Sequence, residues 1–66
     1  GALGFQGGIS GDAVNIEEEI EIGGEARINH RGSKWTARNV GTEVIAAGSR
    51  AKVVKVDGLT LHLESD

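Results

Sequence analysis

Two histidines, four serines and a run of glutamates are the residues of this chain whose types can do chemistry. Ser10, Ser33, Ser49 and Ser65 lack the Gly-x-Ser-x-Gly elbow that would expose a nucleophile on a strained turn. Cysteine is absent, which removes disulfides, thiolate metal ligands and a thiol nucleophile together. His30 and His62 show no His-x-x-x-His spacing and no companion ligands. His62 falls on the outward phase of a leucine strand and His30 falls in a turn, so both read as solvated. Glu17, Glu18, Glu19 and Glu21 offer oxygens to a divalent cation, but without the Asp-x-Asp-x-Asp-Gly spacing of a calcium loop the run reads as a solvated face. Gly1, Gly4, Gly7, Gly8 and Gly11 resemble a phosphate cradle only superficially. The Gly-Lys-Ser ending is missing, and so is a following helix to supply an anion-binding N-terminus. The expectation is therefore a non-enzyme with no catalytic residue, no cofactor and no metal.

The elements that would position any such residue must be few. Sixty-six residues make one small domain, which buries only about 60% of the surface its unfolded chain exposes. Methionine is absent, so Gly1 reads as a cleavage or cloning boundary. Residues 1–8 read as a Gly-rich linker or expression remnant, and residues 9–66 as the domain. No apolar run approaches the roughly 20 residues of a membrane-spanning helix. Charge is segregated. Asp12, Glu17, Glu18, Glu19, Glu21 and Glu25 precede every basic residue, while Arg27, Arg31, Lys34, Arg38, Arg50, Lys52 and Lys55 share their stretch with Glu43 alone. Such an arrangement suits strands that pair opposite charges across a sheet, or an oriented interaction surface.

Arg50 to Val56 is rich in β-branched residues, and Leu59, Leu61 and Leu63 alternate with Thr60, His62 and Glu64. Asp57-Gly58 between them predicts a hairpin with a type I′ turn. The apolar phase slips between Val53 and Val54, which predicts a bulge or burial on both faces. Glu25–Asn29 and Ser33–Arg38 flank His30-Arg31-Gly32 as a second hairpin, with Ala26 and Ile28 facing Trp35 and Ala37. Gly11–Ile16 reads as a first strand. Ile20 and Ile22 alternate with Glu19 and Glu21, predicting extended chain up to Gly23-Gly24. Thr42–Ala47 reads as an apolar connection with room for one helical turn. Five short strands with regular turns predict an all-β barrel or sandwich, and closure at this size would remove exposed edges.

Single-stranded nucleic acid is the rival ligand for such a barrel, and it requires exposed aromatics over a basic groove. The chain has one Trp, one Phe and no Tyr, with an acidic pI of about 5.2. Trp35, in phase with Ala37, predicts a mostly buried core anchor instead. On the opposite phase Lys34 and Arg38, with Arg31 at the turn and Lys52 if the valine strand lies alongside, form a candidate partner-binding patch. It would suit an acidic protein surface or anionic lipid. The competing reading pairs these charges with Glu19, Glu21 and Glu25.

The order Gly8-x-x-Gly11-x-Ala13, Gly24-x-Ala26-x-Ile28, Gly32-x-x-Trp35-x-Ala37, then Gly48-x-x-Ala51-x-Val53-Val54-x-Val56-x-Gly58-x-x-Leu61-x-Leu63 resembles the NfeD-like C-terminal domain over residues 8–64. Ala51 stands where that family usually has Val, and Glu17–Gly23 replaces a segment that often carries Pro. The resemblance implies a small five-stranded OB-type β-barrel, the soluble and cytoplasm-facing part of a membrane-anchored parent. It also implies a stomatin or SPFH-type protein as partner, in membrane organisation and quality control. A nucleic-acid-binding OB domain and an accessory domain of a membrane serine protease are the alternatives.

Overall fold

The computed structural model describes residues 8–66. The expected linker over residues 1–8 therefore lies, Gly8 apart, outside the described residues. Five strands follow in chain order: β1 Ala13–Asn15, β2 Glu25–His30, β3 Ser33–Asn39, β4 Arg50–Asp57 and β5 Thr60–Ser65. They form one curled sheet in the order β1-β4-β5-β3-β2, antiparallel throughout except for the parallel pair β3–β5. The fold is a small OB-type β-barrel.

The β2–β3 hairpin turns at Arg31-Gly32, with φ of +53° and +76°. Positive φ at both central residues is the type I′ pattern, whose twist matches that of the flanking strands. Arg31 is the one non-glycine residue with positive φ among the described residues. Ala26 faces Ala37 and Ile28 faces Trp35, as the alternation requires.

The β4–β5 hairpin departs from expectation by one residue. Asp57 pairs with Thr60, so the turn is Gly58-Leu59, and only Gly58 has positive φ, at +62°. This is the type II′ pattern, which demands glycine at its first central position alone. The cause lies in the core. A turn at Asp57-Gly58 would set Val53 opposite His62, and a one-residue slip moves a side chain to the other face. The observed turn, with a bulge at Val54, sets Val53 opposite Leu63, and both are fully buried. Leu59 leaves the leucine alternation and stands 75% exposed at the turn.

The connections carry core residues as well. Ile20 and Ile45 exchange both backbone hydrogen bonds, at 2.9 and 3.0 Å, and both side chains are buried. This bridge extends the chain around Ile45, so Thr42–Ala47 forms no helical turn. The Glu19–Ile22 segment is likewise not a continuous strand. Ile20 alone pairs, and Ile22 enters a turn and is 58% exposed. Trp35 is half-buried rather than mostly buried. It packs against the edge of the core while its Nε1–H donates to the His30 carbonyl at 3.1 Å. That bond holds the indole beside the hairpin end instead of over the barrel centre.

Asn39 is the one buried polar residue among the described residues, and it organises both connections. Its amide nitrogen donates to the carbonyls of Ile20 at 3.1 Å and Glu43 at 2.8 Å, and its Oδ1 accepts from Gly41 N at 3.0 Å.

Candidate functional site

The barrel is not closed. Among the described residues no strand pairing joins β1 to β2, so the two outermost strands face each other across a seam. The OB architecture is commonly a partly open barrel. Asn15, Glu17 and Glu18 form one rim of a hollow, and Ala26, Arg27, Ile28 and Asn29 the other. The expected removal of exposed edges by closure thus fails at this one place, because β1 is only three residues long and the chain bends at Glu17-Glu18.

One end of the seam is clasped by side chains. Asp12, just before β1, receives His30 Nε2 at 2.9 Å and Arg31 Nη2 at 2.8 Å on the same oxygen, Oδ2. The left-handed backbone of Arg31 turns its guanidinium back across the seam. The hydrogen bond from His30 holds the Asp12 carboxyl below its usual range; partial burial opposes this, and the Arg31 charge adds to the lowering. His30 is therefore not a free turn histidine. It ends β2, and its side chain is largely covered.

The expected basic patch is only partly assembled. Lys34 and Arg38 lie exposed on the outer face of β3, on either side of Thr36. Arg31 is occupied by Asp12, and Arg38 Nη1 reaches Glu25 Oε2 at 3.6 Å between two half-exposed side chains, a pair worth about 0–1 kcal/mol. Lys52 lies on β4, separated from β3 by β5, where Glu64 is its cross-strand partner. Across the same outer face Arg38 pairs with His62, which in turn stands opposite Lys55. His62 thus lies between two cations. Arg27 Nη1 donates to Thr36 Oγ1 at 3.2 Å.

Among the described residues no three His, Cys, Asp or Glu side chains are grouped to hold a metal ion, and no helix is long and apolar enough to cross a membrane. The Asp12–His30 contact spans 18 residues and leaves no local trace in the sequence. The role of Asn39 had a local sign. An Asn at the end of a strand, two residues before Gly41, is a common way for a side chain to cap its own turn.

Comparison with known proteins adds three findings. The sequence pattern of the NfeD-like C-terminal, partner-binding domain matches residues 8–64. The fold is similar to the C-terminal domain of a stomatin operon partner protein from Pyrococcus horikoshii, with a TM-score of 0.70, 33% identity and 88% of each chain covered. No curated protein matches the sequence.

Proposed function

The chain belongs to the NfeD-like C-terminal, partner-binding domain family, and on that premise we propose that it works by docking a stomatin or SPFH-type protein rather than by catalysis. The observation carrying this reading is the 33% identity over 88% of both chains to a domain named as a stomatin operon partner. The physical build agrees with it. The core is filled by Val14, Ile16, Ile28, Val53, Leu61 and Leu63, and the polar groups gather on the surface and along the seam. The reading extends to a membrane-anchored parent that acts in membrane organisation and quality control.

The outer face supplies electrostatic complementarity. Lys34 stands exposed without an acidic partner in contact among the described residues, while Lys52 stands opposite Glu64 and Arg31 and Arg38 each meet a carboxylate. An acidic partner surface meeting this face would speed encounter more than it would tighten the final complex. Nucleic acid fits less well. OB barrels grip oligonucleotides on strands two and three and on the loops joining strands one to two and four to five. Here the first of those loops carries Glu17, Glu18, Glu19 and Glu21, and the second is two residues long.

The test is capture of the stomatin-type protein of the same cell by the wild-type domain and by the Lys34→Glu, Arg38→Glu, Lys52→Glu variant, both confirmed folded by circular dichroism. Capture by the wild type and slowed association of the variant support the reading. Absence of capture by the wild type overturns it.

A further inference from the structure

The open seam has an edge built to accept a strand. β2 pairs with β3 across a two-residue turn, which fixes His30–Ser33, Ile28–Trp35 and Ala26–Ala37 as the hydrogen-bonded pairs of the antiparallel ladder. The bond from Asn39 N to Gly24 O at 3.0 Å continues that alternation. The N–H and C=O groups of Glu25, Arg27 and Asn29 therefore point away from β3, toward the seam. On the opposite rim Val53 N bonds Asp12 O, and Ile16 N bonds Ser49 O, each at 2.9 Å. The intervening Ala13 and Asn15 direct their backbone groups outward by the same alternation. No strand of the described chain takes up either set.

We infer that the β2 edge of this seam is a strand-addition site, which takes an extended partner segment with alternating apolar and cationic side chains. The inference deepens the partner-binding reading and rests on it for the donor of the strand. Backbone hydrogen bonds to Glu25, Arg27 and Asn29 would supply the register, as in other cases where a peptide extends an exposed sheet edge. The alternation follows from the two faces of β2. Ala26 and Ile28 look inward, half-buried and buried, so apolar side chains opposite them cover the hollow. The other phase of the added strand looks outward, where Glu25 lies on its own rim and Glu17 and Glu18 on the facing one. With Glu25 already shared with Arg38, Glu17 and Glu18 outnumber the single charge of Arg27 and call for cations.

A second copy of this chain fits the edge worse. The antiparallel register that pairs all three seam-facing residues of β2 with those of its own copy sets Arg27 opposite Arg27, and like charges directly opposite each other destabilise a strand pair. The short β1 and the charges on β2 keep the edge from casual pairing. The Asp12–His30–Arg31 clasp holds the seam shut at one end.

The experiment titrates the isotope-labelled domain with the hexapeptide acetyl-Lys-Val-Lys-Val-Lys-Val-amide, following amide shifts and hydrogen exchange by NMR. The expected result is slowed exchange and shifted resonances at the Glu25, Arg27 and Asn29 amides. Binding should weaken roughly tenfold in the Glu17→Lys, Glu18→Lys variant and vanish with the Glu-for-Lys peptide. The inference is overturned if those amides do not respond at millimolar peptide, if the acidic peptide binds equally, or if the shifts map only to the outer face. Because this arm contains no stomatin-type protein, its failure leaves the docking reading standing. Peptide binding without capture of that protein sinks only the docking partner.

Discussion

Asp12 and His30 join the two ends of the sheet that no backbone pairing joins: Nε2 lies 2.9 Å from Oδ2 across the β1–β2 seam, and Arg31 closes on the same oxygen. The carboxyl of Asp12 is held below its ordinary value of 3.8, first by the His30 hydrogen bond. A carboxyl depressed in the folded state adds stability above its unfolded pKa, and that contribution is lost as pH falls through the folded value. Melting temperatures of wild type and Asp12→Asn should therefore differ above about pH 4 and converge below it. A difference that persists unchanged at pH 2 would remove the clasp from the account.

Asn39 ties three backbone groups of two connections to β3. Asn39→Leu leaves the Glu43 carbonyl and the Gly41 N–H without their partner and removes the second bond to the Ile20 carbonyl, which Ile45 N still serves. Each buried group left without a partner costs about 1–3 kcal/mol. Domains of this class hold only about 5–15 kcal/mol in total, so urea denaturation should show a large loss, and Asn39→Asp should show one too, because a carboxylate cannot donate to the two carbonyls. A Leu variant as stable as wild type would mean that water replaces the amide.

Trp35 is half-buried and hydrogen-bonded through its indole N–H. Trp35→Ala should cost about 1–3 kcal/mol, below the roughly 3–5 kcal/mol of a fully buried aromatic, and Trp35→Phe should recover most of it. As Trp35 is the only tryptophan, its emission maximum reports directly on the exposure. A fully solvated spectrum in the folded protein would contradict this placement.

The strands were legible because each carries its own phase: Ala26 and Ile28 against Trp35 and Ala37, and Leu61 and Leu63 against His62 and Glu64. Even the slip at Val53-Val54 was visible, since a bulge must break alternation. The Gly58-Leu59 turn was not, because Asp57-Gly58 is the stronger local signal and only the tertiary demand that Val53 meet Leu63 outweighs it. The half-burial of Trp35 escaped for a similar reason: phase tells which face a side chain takes, not how far the sheet curls over it. The seam and its clasp depend wholly on that curl. Arg38 meets Glu25, as the competing reading of the basic patch expected, but Asp12, His30 and Arg31 have no shared sequence pattern.

The acidic loop between β1 and β2 and the two-residue β4–β5 turn leave little with which to hold an oligonucleotide. Labelled single-stranded DNA should show no anisotropy change on the order of micromolar protein at about 150 mM salt, where phosphate contacts are screened. Saturable binding under those conditions would restore the nucleic-acid reading.

Partner docking is tested most directly by isothermal titration of the purified domain with the purified stomatin-type protein at about 150 mM salt. The account predicts saturable binding with a Kd on the order of micromolar or tighter. A titration with no heat and no saturation, with both proteins folded, would contradict it.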